Sequence, residues 1–221
     1  TGVTQWGSTA WVSMESAFRY CANLNITATD VPNLGSVSSM RSMFDKCSKL
    51  NGPANIGSWN TTTVTDMSNM FAEAAIFNQN IGSWNTANVT NMVSMFFSAG
   101  AFNQNISGWN TANVTDMSLM FSNAGTFNQP IGAWNTANVT NMRSMFQGAT
   151  NFNQHIGYDA TTGAWNTGNV TDMNSMFFVA TAFNQNIGSW NTAAVTNMSS
   201  MFRSATAFNQ NIGYNATRSE E

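Results

Sequence analysis

The sequence repeats itself with a nearly fixed period, and this feature constrains the fold more than any other. The triplet Phe-Asn-Gln begins at Phe77, Phe102, Phe127, Phe152, Phe183 and Phe208, so the spacing is 25 residues four times and 31 residues once. The longer step contains a glycine-flanked insertion of six residues between Ile156 and Trp165. A fixed period predicts an elongated array in which each repeat contacts its neighbours, with the insertion on an outward-facing turn.

The large apolar residues fall into columns that recur once per repeat. All 15 methionines and six of the eight tryptophans follow this spacing. The methionine columns are Met14, Met40, Met67, Met92, Met117, Met142, Met173 and Met198, and Met43, Met70, Met95, Met120, Met145, Met176 and Met201; the tryptophan column is Trp59, Trp84, Trp109, Trp134, Trp165 and Trp190. Methionine fills cores and tryptophan rings stack well, so we predict burial, although evenly spaced tryptophans also suit a linear polysaccharide.

Each repeat contains two kinds of local pattern. Between Val89 and Ala99 the apolar residues are spaced three and four apart, which predicts a short helix with Thr90 as its N-cap. From Phe77 to Ile81 apolar and amide residues alternate, which predicts a short strand. Stacked repeats would then form a parallel sheet along one side of the array.

The residue that follows the predicted capping threonine alternates strictly between acid and amide. The column reads Asp66, Asn91, Asp116, Asn141, Asp172 and Asn197. Identical carboxylates in adjacent repeats would repel each other, so we expect the alternation to increase the spacing between charges. Duplication of a two-repeat block would produce the same pattern.

The block Trp-Asn-Thr-x-x-Val-Thr-Asp/Asn-Met-x-x-Met-Phe-x-x-Ala-x-x-Phe-Asn-Gln resembles the BspA-type leucine-rich repeat of bacterial surface proteins. The resemblance covers about residues 37–212 and implies an α/β, leucine-rich-repeat-like solenoid. About eight coils are expected, each a short strand, a turn and a short helix. The resemblance also implies a secreted or cell-surface location and a role in adhesion or protein binding. Where that family has Leu-x-x-Leu-x-Leu, this chain has Phe-Asn-Gln-Asn-Ile.

We interpret the chain, residues 1–221, as a single repeat domain. Residues 1–23 are expected to form a cap-like unit, residues 24–58 irregular repeats and residues 59–212 regular repeats. Residues 213–221 are interpreted as a truncated next unit or a tail. Because the chain starts without Met or a signal peptide, we interpret it as a piece of a longer protein.

The composition favours binding through neutral polar groups. Charged residues make up only 8% of the chain, well below the roughly 25% of ordinary soluble domains. The sequence has no cluster of basic residues that would predict nucleic-acid binding. It also has no apolar run long enough to predict membrane insertion. The single histidine, His155, has no acid or nucleophile partner in the pattern, and no metal-ligand cluster or phosphate loop is present. We therefore predict a protein that is not an enzyme and has no cofactor and no metal site.

Two rows of side chains along the predicted strands are the candidate ligand-binding surface. The first amide row is Asn78, Asn103, Asn128, Asn153, Asn184 and Asn209; the second amide row is Asn80, Asn105, Pro130, His155, Asn186 and Asn211. Site residues are predicted to be Asn78, Asn80, Asn103, Asn105, Asn128, Asn153, His155, Asn184 and Asn186. The alternative is an amide ladder that hydrogen-bonds between repeats.

The two cysteines, Cys21 and Cys47, occupy the same position in successive repeats. Stacking would bring them about 5 Å apart, close to the separation that a disulfide requires. Cysteine also packs as a small hydrophobic residue, so the alternatives are two buried thiols or a disulfide.

Three functions remain open from the sequence. The first is an extracellular adhesion or interaction domain that binds a protein or glycan on a host, prey or neighbouring cell. The second is ice binding through threonine rows, which are Thr86, Thr111, Thr136, Thr167 and Thr192, and Thr90, Thr115, Thr140, Thr171 and Thr196. The third is a structural spacer that associates end to end.

Overall fold

The computed structural model describes residues 2–212, which contain almost no regular secondary structure. Strand β1 is Gly2–Val3 and pairs in parallel with strand β2, Asn25–Ile26, and Ile56–Ser58 forms one turn of 3-10 helix. The predicted α/β architecture, a leucine-rich-repeat-like solenoid of strand, turn and short helix with a parallel sheet along one side, is therefore wrong. Within residues 2–212 the repeats are instead built from turns.

Consecutive repeats are nevertheless hydrogen-bonded to each other in register. Single-residue parallel β-bridges join each member of the acid and amide column to the next, from Ser39–Asp66 through to Asp172–Asn197. Each bridge lies just before a stretch of eight residues that begins with the first methionine column. These turn segments are residues 14–21, 40–47, 67–74, 92–99, 117–124, 142–149, 173–180 and 198–205.

The turn segment uses its backbone groups in two alternating ways. In residues 92–99, the N–H groups of Ser94 and Phe96 donate to the following repeat, to the carbonyls of Ser118 and Met120, both at 2.9 Å. The N–H groups between them donate three residues back within the same repeat, as from Met95 to Met92 at 3.2 Å. An α-helix would consume all of these groups internally. The apolar spacing of three and four is therefore realised by overlapping turns, and the helix with Thr90 as N-cap is absent.

The third and seventh residues of each turn segment have left-handed backbone angles. In residues 92–99 these are Ser94, with φ of 54°, and Ser98, with φ of 53°. Such angles cost a non-glycine residue about 1 kcal/mol, and the ladder to the next repeat offsets that cost. Even Val179 adopts a φ of 60°, although β-branched residues rarely do.

The predicted strand Phe77–Ile81 is also absent. Its alternation is retained, since Phe77 and Ile81 are buried while Asn78 and Asn80 are exposed. However, the N–H of Asn103 in the next repeat donates to the side-chain Oδ1 of Asn78, at 3.0 Å. A side-chain oxygen takes the place of a backbone carbonyl, so no backbone ladder forms here.

One continuous hydrophobic core runs through the described repeats, from Trp6 to Met201. Two columns of phenylalanine rings stack along it with nearly parallel planes. Centroids are 5.6 to 5.8 Å apart in the first column and 5.9 to 6.1 Å apart in the second. The columns are Phe71, Phe96, Phe121, Phe146, Phe177 and Phe202, and Phe77, Phe102, Phe127, Phe152, Phe183 and Phe208.

The tryptophan column lies in the core, at most 7% exposed. From Trp84 onwards each indole N–H donates to an isoleucine carbonyl of the preceding repeat, as from Trp109 to Ile81 at 3.1 Å. Buried indole rings cannot serve as a row of sugar-stacking surfaces. Trp59 has no such partner in the described part of the chain.

The predicted boundaries after residues 23 and 58 and the single-domain interpretation stay predictions. The tail at residues 213–221 lies outside the described residues.

Candidate functional site

The first amide row is occupied with holding the repeats together. From Asn78 to Asn184, each Oδ1 accepts both the backbone N–H of the equivalent asparagine in the following repeat and the Nε2 of the glutamine after it. Asn128, for example, accepts from Asn153 at 2.9 Å and from Gln154 at 3.0 Å. Most members of the row are half-buried. The arrangement matches the amide ladder that was the alternative to ligand binding.

The second amide row is exposed along its whole length. Asn80, Asn105 and Asn186 each accept the backbone N–H two residues ahead, at 3.0, 3.0 and 2.9 Å. This local turn fixes the orientation of the side chain. Pro130 and His155 interrupt the series. Of the predicted site residues, those of the second row are therefore exposed and take no part in the amide ladder; Asn78 is exposed too, but its Oδ1 already accepts hydrogen bonds from the next repeat.

The two threonine rows differ in exposure. Thr86, Thr111, Thr136 and Thr167 are at most 1% exposed, and each hydroxyl donates to an asparagine carbonyl of the next repeat. The Thr90 row is exposed, but its hydroxyls donate to threonine carbonyls of the preceding repeat. Ice binding through both rows would require both to face water, and these four members of the first row are buried.

The alternating acid and amide column lies immediately before the turn segments from residues 67–74 onwards. Every side-chain Oδ1 accepts the N–H two residues ahead, at 2.8 Å for the three aspartates and 3.0 to 3.2 Å for the three asparagines. Between repeats, Asn141 Nδ2 donates to Asp116 Oδ2 at 3.0 Å. An amide between two acids can thus donate to a carboxylate, which a third acid could not do.

The six-residue insertion creates the main irregularity of the surface. It forms a small antiparallel bridge between Asp159 and Ala164, and the Asp159 carboxylate accepts the Thr161 N–H at 2.8 Å and the Thr162 hydroxyl at 3.0 Å. These hydrogen bonds, first that of the Thr161 N–H, lower the pKa of Asp159. Beside the insertion lies an open groove of about 510 Å³. Its lining includes Pro130, Gln154, His155 and Tyr158.

Tyr158, like Gln154, lines this groove but was not among the predicted site residues. It lies outside every repeat column, and only its place in an insertion beside His155 and Pro130 indicated that the surface changes there. The tyrosine is 38% exposed, whereas most aromatic side chains of the array are buried.

Both cysteines are free in the structure. Cys21 is exposed, whereas Cys47 is buried and its thiol donates to the Phe18 carbonyl at 3.0 Å. Burial raises the pKa of the Cys47 thiol to about 12. The pair therefore combines one accessible and one protected thiol.

Among residues 2–212, no three His, Cys, Asp or Glu side chains come together in a group suited to a metal ion. Nor does this part of the chain contain a helix with the length and hydrophobicity of a membrane span.

Searches among the curated proteins and among the solved structures each found no significant match to the chain. The family described as "Mycoplasma protein of unknown function, DUF285" matches three overlapping segments, residues 12–129, 83–162 and 126–220. The overlap agrees with the repetition seen in the sequence and in the hydrogen-bond ladder. The segments together cover almost the whole sequence, and the chain is a repeat protein that belongs to this family.

Proposed function

We propose that the chain is a non-enzymatic, extracellular binding module that holds a partner on another cell or matrix through its second amide row. The observation that carries the proposal is a row of exposed polar side chains at Asn80, Asn105, His155 and Asn186, three of which, the asparagines, are fixed by a local hydrogen bond. The partner is a protein or glycan of a host, prey or neighbouring cell.

The rigidity of the array supports this proposal. Hydrogen bonds join each repeat to the next at the turn segment, the first amide row and the buried threonines. A preorganised row loses little entropy on binding, so weak contacts repeated along it add up to useful affinity.

The charge pattern supports a partner recognised by neutral hydrogen bonds. The chain carries 7 Lys and Arg against 10 Asp and Glu, and the second row contains none of them. Binding through such a row should depend little on ionic strength, because few counterions are released.

The test compares two triple variants with the same chemistry. Asn80→Ala/Asn105→Ala/Asn186→Ala removes the second row, and Asn85→Ala/Asn110→Ala/Asn191→Ala removes three other exposed asparagines that make the same local turn. Binding is measured on arrays of purified cell-surface proteins and glycans and on whole cells, with thermal unfolding to check folding.

We expect the first variant to lose at least tenfold in affinity and the control variant to bind as the parent does. Equal binding by both folded variants and the parent would overturn the proposal.

A further inference from the structure

The groove beside the insertion is a local change in an otherwise uniform surface. Pro130 and His155 stand where the second row has asparagine, and Ala133 stands where Ser83 and Ser189 occur in other repeats. Ser83 Oγ donates to the carbonyl of Gly57 in the preceding repeat at 2.6 Å, a contact that alanine cannot make. The surface is therefore less polar here than elsewhere on the row.

The insertion that forms one wall of the groove is held in place by hydrogen bonds. Gly163 N–H donates to the Asp159 carbonyl at 2.7 Å, and Asp159 N–H donates to the Ala164 carbonyl at 3.1 Å. The Tyr158 N–H donates to Ser189 Oγ of the following repeat, at 3.0 Å. The wall is thus anchored to the array, so a ligand would meet a preformed site.

Glycine makes room for the imidazole of His155. A Cβ at Gly157 would lie 3.2 Å from His155 Nε2 and 2.9 Å from the Asn186 carbonyl oxygen. The ring consequently lies over the backbone of Gly157, next to Tyr158. The rings of His155, Tyr158 and Pro130 thereby border one open groove.

The chemistry of the lining favours a neutral ligand. No Lys or Arg lines the groove, so an anion would have no cationic partner. The only carboxylate of the lining, Asp159, already accepts the two hydrogen bonds inside the insertion. Gln154 donates its Nε2 to Asn128 at 3.0 Å, which leaves its Oε1 as an acceptor.

We propose that this groove binds the sugar units of a neutral glycan. The ring of Tyr158 packs against the apolar face of a sugar, and Gln154 and His155 hydrogen-bond to its hydroxyl groups. The groove volume of about 510 Å³ falls within the roughly 300–1,000 Å³ of small-molecule sites. The inference rests on the proposed function as a binding module and gives one site on it a ligand class.

The experiment uses the whole chain on an array of neutral oligosaccharides built from hexoses and N-acetylhexosamines, printed beside sulfated and sialylated ones. The strongest neutral binder is then titrated by calorimetry against Tyr158→Ala, Tyr158→Phe and His155→Asn. Tyr20→Ala is the matched control, because Tyr20 is an exposed tyrosine outside this groove.

We expect binding to neutral oligosaccharides, at least a tenfold loss for Tyr158→Ala, a smaller loss for His155→Asn and no loss for Tyr158→Phe or Tyr20→Ala. A preference for charged oligosaccharides, unchanged binding by Tyr158→Ala, the absence of any neutral binder, or a peptide that occupies the groove instead would each overturn the inference. Tyr158→Phe guards against misfolding, since it retains the ring.

The second-row triple variant separates the two proposals. If Asn80→Ala/Asn105→Ala/Asn186→Ala loses cell adhesion while no neutral glycan binds, the groove proposal fails and the proposed function stands. If that variant adheres normally and Tyr158→Ala abolishes glycan binding, the row proposal fails and the groove proposal stands.

Discussion

The first repeats and the later repeats share one set of columns and the same backbone ladder along the turn segments, but they differ in the contacts that are added to it. In residues 2–58, Asp30 accepts the N–H groups of Trp6 and Gly7, and Arg19 pairs with Asp45 at 2.7 Å. The Trp6 ring meets Trp59 edge-on, at 86°. In residues 59–212, amide ladders and parallel ring stacks recur almost unchanged from repeat to repeat. In the regular repeats the added contacts are therefore made by neutral amide groups, whereas in the irregular repeats they include charged side chains.

The largest contrast is expected in the phenylalanine column. Phe121 is fully buried between Phe96 and Phe146, whereas Phe18 is only half-buried. Phe121→Ala should lower the free energy of unfolding by about 3–5 kcal/mol, and Phe18→Ala by about half as much. Urea unfolding followed by circular dichroism measures both. Equal losses would show that the two regions are packed alike.

The second-largest difference in the free energy of unfolding is expected in the first amide row. Asn128 accepts two hydrogen bonds from the next repeat, while its irregular counterpart Asn51 accepts one, from the Asn78 N–H at 3.1 Å. Asn128→Ala leaves a backbone N–H unpaired and should cost about 1–3 kcal/mol. Asn51→Ala should cost less than about 1 kcal/mol, because the site is exposed. Asn128→Asp, which keeps the acceptor oxygen, should be the milder of the two changes at position 128.

The tryptophan column offers a subtler comparison. Trp109 donates its indole N–H to Ile81, but the buried indole N–H of Trp59 has no partner in the described residues. Replacing either ring with phenylalanine removes similar volume, yet only Trp109→Phe also removes a hydrogen bond. We expect Trp109→Phe to be the more destabilising by about 1 kcal/mol in the same unfolding assay. The reverse order would mean that the Trp59 indole N–H finds a hydrogen-bond acceptor in solution.

The cysteines occur only in the first two repeats and allow a chemical test. Because the pKa of Cys47 is about 12, its reactive thiolate is scarce at pH 8. Iodoacetamide should label Cys21 alone in the folded protein and both residues in urea, as counted by mass spectrometry. Labelling of neither residue until a reductant is added would indicate the disulfide.

The smallest expected effect is electrostatic. Asn91→Asp would place three carboxylates in consecutive repeats, beside Asp66 and Asp116, whereas Ser39→Asp adds one carboxylate next to Asp66 only. We expect Asn91→Asp to cost about 0.5 kcal/mol at low salt and Ser39→Asp less, and both costs to disappear near 1 M NaCl. A salt-independent change in melting temperature would rule out repulsion as its cause.

The burial of the repeated apolar residues could be predicted from the sequence, but the conformation of their backbone could not. Burial of Met95, Phe96 and Trp109 follows from their period, because only a stacked array repeats the same environment every 25 residues. The helix prediction failed because residues spaced three and four apart line one side of overlapping turns as well as one side of a helix. Asn123 and Gly148 occupy the seventh, left-handed position of their turn segments, and residues of these types favour turns. The spacing of the apolar residues was the stronger signal and favoured a helix.

The candidate site was predictable in part. The alternation of Phe77 to Ile81 correctly indicated which side chains face outward, but it could not show that Asn78 Oδ1 replaces a backbone carbonyl. That substitution depends on the spacing between repeats, which no local pattern contains. The groove is marked in the sequence by the insertion, but the close approach of the His155 ring to Gly157 could not be read from it.

Along the turn segment, every N–H that leaves a repeat points to the following repeat, and every carbonyl that faces the preceding repeat is an acceptor. In this segment a repeat thus donates hydrogen bonds on one side and accepts them on the other. Two copies therefore fit together only when they run in the same direction. Tandem duplication of the coding sequence produces that orientation automatically. Lengthening such a protein by whole repeats requires no newly evolved contact, while an inverted copy would set like groups against each other.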